Sequence, residues 1–142
     1  GIPADVVVYS GVLDACAQAG DCGRAKGVFR QMRARGVRPN VVAYASLARP
    51  FAHGGDWPEV ERLAKEMAAE GMAMNEYFLY AMLLAYATAK PRQPERAERV
   101  FREACEAGVQ ANKHVLGALA RAVGRSRRTQ LAQECKGSGG ES

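Results

Sequence analysis

Val6–Asn40 (VVVYSGVLDACAQAGDCGRAKGVFRQMRARGVRPN) is followed at once by a second stretch of equal length, Val41–Asn75 (VVAYASLARPFAHGGDWPEVERLAKEMAAEGMAMN). At an offset of 35 the two match at Val6/Val41, Val7/Val42, Tyr9/Tyr44, Gly20/Gly55, Asp21/Asp56, Met32/Met67, Gly36/Gly71 and Asn40/Asn75. A fixed period of this size marks an array of small units rather than one closed core. A third copy, Glu76–Asn112, is in register at Tyr86, Ala97, Phe101, Gly108 and Asn112 once two residues are inserted near Lys90–Pro94, which lengthens and stiffens the turn between its helices. A fourth begins at Lys113 and decays by Lys136 into a polar, capping end; Gly137–Ser142 (GSGGES) reads as a flexible tail. Gly1–Asp5 aligns with Gly36–Asn40 and reads as the tail of an earlier copy, so the chain reads as a window on a longer polypeptide whose targeting segment would lie upstream.

Each copy carries the pattern of two helices. In Val6–Ala19 the residues Tyr9, Val12, Leu13, Cys16 and Ala17 recur at spacings of three and four, which places them on one helical face. Gly20-Asp21 then breaks the run, since Gly suits a left-handed helix stop and Asp suits an N-cap. The second helix, from about Cys22 to Arg35, gathers Ala25, Val28, Phe29 and Met32 on one face, and Gly36 ends it. Such a hairpin has too little surface to bury its own apolar stripe, so neighbouring copies must stack. Pro50, inside the first helix of the second copy, removes a backbone donor and predicts a kink there, at a cost of ~3 kcal/mol if uncompensated.

Little in the chain points to chemistry. The four cysteines, Cys16, Cys22, Cys105 and Cys135, have no metal-ligand spacing and read as small buried thiols in a reducing compartment. His53 and His114 stand alone, His53 at a solvated helix end. No catalytic constellation, metal site or cofactor motif can be assembled, and neither an enzyme nor a small-molecule substrate is expected. No apolar run is long enough for a membrane span.

These copies resemble pentatricopeptide repeats. The likeness rests on the 35-residue period, on Tyr9 and Tyr44, on the Gly20-Asp21 hinge, on the run Ala25, Val28, Phe29, Met32 and Gly36, and on the ending Arg38-Pro39-Asn40. It covers Gly1 to about Lys136. The tetratricopeptide repeat has a period one residue shorter and a Trp and Leu-Gly signature that is missing here. The resemblance implies an all-α, right-handed α-solenoid of stacked helix-turn-helix hairpins: a tail of a preceding repeat at 1–5, repeats at 6–40, 41–75 and 76–112, a degenerate or capping repeat at 113–136, and the tail 137–142.

It also implies sequence-specific binding of single-stranded RNA in a chloroplast or mitochondrion, one base per repeat, read by the fifth and the last residue of each copy. Carried over, the reading pairs are Ser10 with Asn40, Ala45 with Asn75, and Tyr80 with Asn112; Val7, Val42, Tyr77 and His114 would pack against the bases. Ser10–Asn40 resembles the family's combination for adenine, Ala45 has no polar atom, and Tyr80 is large where the family prefers Ser, Thr or Asn. The net charge of +5 suits a polyanion. Yet the arginines crowd the second helices and turns (Arg24, Arg30, Arg33, Arg96 and others), and the first helices stay nearly neutral until Lys113, Arg121 and Arg125. The alternative is a scaffold of the same descent that holds protein subunits of an organellar assembly, burying Tyr77, Tyr80, Leu84 and Tyr86 against them.

Overall fold

The chain forms eight helices, and no strand, among residues 4–139, which are those that the structure, a computed structural model, describes: α1 Ala4–Ala19, α2 Cys22–Ala34, α3 Val41–His53, α4 Trp57–Ala69, α5 Glu76–Thr88, α6 Pro94–Glu106, α7 Lys113–Val123 and α8 Arg125–Gly139. Local chemistry sets most of these boundaries. Asp21, Asn40, Asp56, Asn75 and Asn112 are N-caps whose side-chain oxygens accept the backbone N–H three residues on, at 2.9 to 3.3 Å. Each such bond satisfies one of the donors that a helix start leaves without a partner, and is worth about 1 kcal/mol. Pro58 and Pro94 sit in the first turn of α4 and α6, where a missing N–H costs nothing. Gly55, at φ +74°, shows why one helix stop must be glycine: a Cβ there would lie 2.9 Å from the carbonyl oxygen of Thr88.

The helices form two layers. The odd helices α1, α3, α5 and α7 pack on one another in succession; α2, α4 and α6 each pack on their own hairpin partner and on the next odd helix, and α8 packs on α7 and α6. One apolar cluster runs unbroken from Val6 in α1 to Leu131 in α8, so the copies share a core that none could close alone. α3 and α5 are enclosed from both sides: Tyr44, Phe78, Leu79 and Leu83 are fully buried. At the hinge end, the Thr88 hydroxyl donates to the Ala52 carbonyl at 2.6 Å and ties α5 to α3.

Four expectations are revised. Cys105 and Cys135 are joined in a disulfide rather than held as separate thiols, because α6 and α8 pack together and bring their Cα atoms to 5.7 Å. Cys16 is a buried free thiol as expected, and Cys22 is half-buried. Gly137–Gly139 continue α8 instead of starting a loose tail, and residues 140–142 lie outside the described residues. At the other end, α1 begins at Ala4, so Ala4 and Asp5 are helical, an acidic residue in the first turn being favoured by the helix dipole; residues 1–3 of the expected preceding tail lie outside the described residues. α3 continues through Pro50 to His53, and the buried Pro50 ring takes its place within one turn of the helix end, where little of the helix remains to disrupt.

Candidate functional site

The residues singled out by the repeat fall at fixed places on the odd helices. Asn40, Asn75 and Asn112 are the N-caps of α3, α5 and α7. Two residues further on, Val42, Tyr77 and His114 project from the first turn, and Val7 holds the same place in α1. Val7 is 57% exposed, Val42 40% and Tyr77 63%, so a row of apolar and aromatic side chains stands open along one face. His114 is exposed as well.

Capping fixes what the asparagines can offer. Their Oδ1 atoms each accept a backbone N–H at 2.9 Å, from Ala43, Phe78 and Val115. A backbone donor can be met only by an oxygen, so the orientation of each amide is determined, and its NH2 is the edge left for a ligand. Three equivalent, preset hydrogen-bond donors therefore recur down the odd-helix face. The periodicity placed these asparagines at the end of each copy, but their capping bond belongs to the start of the following helix.

The partners at the fifth position diverge. Ser10 is half-buried, and its Oγ has no hydrogen-bond partner, Asn40 included. Ala45 is 3% exposed and cannot reach a ligand. Tyr80 is half-buried with its ring edge-on to that of His114, centroids 6.4 Å apart. Of the residues expected to face a partner protein, Leu84 and Tyr86 are instead internal; the Tyr86 hydroxyl donates to Glu61 at 2.6 Å. Burial, then that carboxylate, push its ionisation far above the ordinary phenol range.

Charge is arranged differently in the two layers. On α3, Arg49 lies 3.6 Å from Asp14 of α1, which also accepts the Ser46 hydroxyl at 2.7 Å; Ser46 and this small network are invisible to the repeat pattern. The even helices α2, α4 and α6 do not meet backbone to backbone in sequence, and ion pairs span the clefts between them. Lys26 meets Glu59 at 3.4 Å, Glu61 meets Arg96 at 3.0 Å, and Glu98 meets Arg127 of α8 at 2.6 Å. Arg33 of α2 donates to Glu66 of α4, to Glu70 just past its end and to the Tyr44 hydroxyl, whose pKa burial and the nearby Glu66 push up to about 12. Bonds from Arg62 and Arg127 hold Glu59 and Glu98 below the usual carboxylate range. No group of three or more His, Cys, Asp or Glu able to hold a metal occurs among the described residues, and no helix there is long and apolar enough to cross a membrane.

Stacked hairpins with one repeating, solvent-exposed row define a helical-repeat module of the α-solenoid class. A family model described as the pentatricopeptide repeat domain matches residues 1–51. A chloroplastic pentatricopeptide repeat-containing protein of Arabidopsis thaliana is 30% identical over 128 residues, 90% of this chain and 16% of that protein. Pentatricopeptide repeat-containing protein 10, chloroplastic, of Zea mays is 32% identical over 82 residues, 57% of this chain and 10% of its own length. The fold is similar to that of the pentatricopeptide repeat protein PPR10 in a crystal structure with an 18-nt psaJ RNA element, at a TM-score of 0.75 and 23% identity over 94% of this chain and 20% of that one. The chain belongs to the pentatricopeptide repeat family.

Proposed function

We propose that the odd-helix face binds single-stranded RNA, and that the repeats act as a non-catalytic recognition module in RNA processing, stability or translation within an organelle. The observation that carries this reading is the row Asn40, Asn75 and Asn112, three equivalent amides each held by a helix start with its NH2 left to donate to a base edge. The open row Val7, Val42, Tyr77 and His114 beside them supplies apolar and aromatic surface on which bases can stack, a contact worth about 1–3 kcal/mol per base. A structural neighbour described in complex with an RNA element, and relatives named as chloroplastic, support the partner class and a plastid site of action.

In the first copy the Ser10 hydroxyl is buried and without a hydrogen-bond partner, so Asn40 supplies the accessible donor. In the second, Asn75 donates alone. In the third, Tyr80 and His114 give Asn112 an aromatic flank.

Filter binding of the full chain to the four RNA homopolymers tests the reading. Asn40→Asp keeps a capping oxygen and removes both amide donors. It should weaken the preferred homopolymer by about two- to tenfold, the worth of one hydrogen bond, while the melting temperature holds. Equal binding by the variant, or no affinity above that for a random polyanion, overturns the proposal. The specific observation on the other side is Arg49, neutralised by Asp14, which leaves the face nearly free of cations before Lys113 and favours a protein-holding scaffold. Recovery of the tagged chain from its organelle separates the two: loss of partners on RNase treatment favours RNA, and their survival favours the scaffold.

A further inference from the structure

The even layer is open at two of its junctions and shut at the third. α2 and α4 do not approach backbone to backbone, nor do α4 and α6, and the clefts between them measure about 380 and 430 Å³. α6 and α8 pack directly, and the hollow left between them is about 180 Å³. The bridges differ as well. Ion pairs alone span the open junctions, among them Arg33 with Glu66 and Arg96 with Glu61. The residue of α6 equivalent to Arg33 is Cys105, and its bond to Cys135 of α8 adds a covalent bridge to the pairs Arg127–Glu98 and Arg102–Glu134.

Little else holds α8. α2, α4 and α6 each bury three or four side chains, whereas Leu131 is the one fully buried side chain of α8 among those described. The first turn of α8 carries arginine and no acidic residue, against the helix dipole, and Gly137 and Gly139 weaken its last turn. The sulfurs are within reach of solvent. Two separate surface hollows, of about 180 and 280 Å³, are each lined by both Cys105 and Cys135. No other thiol is near: Cys16 and Cys22 lie in α1 and α2, which touch neither α6 nor α8. Burial, then Asp56 and Asp21, also hold the Cys22 thiol above its ordinary pKa, which keeps it a poor nucleophile.

We propose that Cys105–Cys135 is a thiol–disulfide exchange site whose co-substrate is a dithiol, and that its oxidation state sets whether α8 is docked on α6. The exchange balances in two steps. One thiolate of the dithiol attacks a sulfur of the bond, forms a mixed disulfide and releases the other cysteine as a thiolate. The second thiol then displaces the mixed disulfide, so the reductant leaves as its own disulfide and two electrons and two protons pass to Cys105 and Cys135. Oxidised, the bond keeps the α6–α8 junction shut. Reduced, Leu131 and two partly exposed ion pairs are left, and the junction opens as the other two are open. The device is independent of RNA binding, since neither cysteine lies on an odd helix.

Dithiothreitol is the probe, applied to the full oxidised chain in native buffer. Thiol titration should show Cys105 and Cys135 becoming free without denaturant. Hydrogen exchange of the α8 amides should then quicken by about tenfold or more, while α3 and α5 keep their protection. Reoxidation with an oxidised dithiol should restore the slow exchange. Cys105→Ser combined with Cys135→Ser should exchange as the reduced chain does under either condition, and Cys16→Ser combined with Cys22→Ser should respond like the parent. Equal α8 protection in the oxidised and reduced chains would make the bond a passive staple and overturn the proposal. So would thiols that titrate only after denaturant is added, or reoxidation that joins chains to one another on a non-reducing gel.

Discussion

The odd and even layers of this solenoid hold together by different physics. The odd helices touch directly and bury almost everything that faces a neighbour; Tyr44, Phe78 and Leu83 are wholly enclosed. The even helices stand apart until α6 meets α8, and a cleft of about 430 Å³ opens between α4 and α6, lined by Glu61, Met82, Tyr86 and Arg96 among others. Partly exposed charge pairs span such clefts, and pairs of this kind contribute about 0–1 kcal/mol each. The apolar layer therefore supplies cohesion. The charged layer supplies matching: it selects which hairpin sits beside which, at little cost to overall stability.

That contrast can be broken at its strongest point first. Leu83→Ala in α5 removes a side chain enclosed from both sides and should cost about 2–5 kcal/mol, seen as a large fall in the denaturation midpoint by circular dichroism. A loss below 1 kcal/mol would mean that the odd layer is not the source of cohesion.

Asn75→Ala should cost about 1 kcal/mol by deleting the cap of α5, with Asn75→Ser recovering most of it. The comparison of the two melts sharpens the assignment, since loss of an RNA-reading group alone would leave both variants as stable as the parent.

The smallest effect is expected in the even layer, and it depends on pH. Glu98 is held below the usual carboxylate range by Arg127. A carboxylate with a lowered pKa when folded stabilises fully above its unfolded value, about 4.3, and loses that contribution as pH falls through the folded value. Glu98→Gln should therefore slightly lower the melting temperature at neutral pH and flatten its decline on acidification. An identical acid profile in parent and variant would show that the pair contributes nothing.

The sequence made the hairpins legible because their punctuation is local. Gly20-Asp21 and Gly55-Asp56 mark a stop and a start, and the apolar spacing within Cys22–Ala34 is helical whatever lies around it. What it concealed depends on which helices become neighbours. The bond between Cys105 and Cys135 needs α6 and α8 side by side, which no spacing of four cysteines reveals. The burial of Ala45, Leu84 and Tyr86 follows from α3 and α5 being flanked on both sides. The asparagine caps were missed because each residue, assigned to the end of one copy, spends its oxygen on the next; the recurrence of Asn two residues before Val42, Tyr77 and His114 was the available signal.

The double duty proposed for those asparagines, capping a helix and donating to a base, would limit how such a surface can change over time. A substitution that alters what is offered to a ligand also alters how a helix begins, so only side chains that can still start the helix (Asp, Ser, Thr and, with a small penalty, Gly) escape a folding defect. The alphabet open at residues 40, 75 and 112 would thereby be short, while the fifth position, which starts no helix, already holds Ser, Ala and Tyr in three successive copies and answers to packing instead.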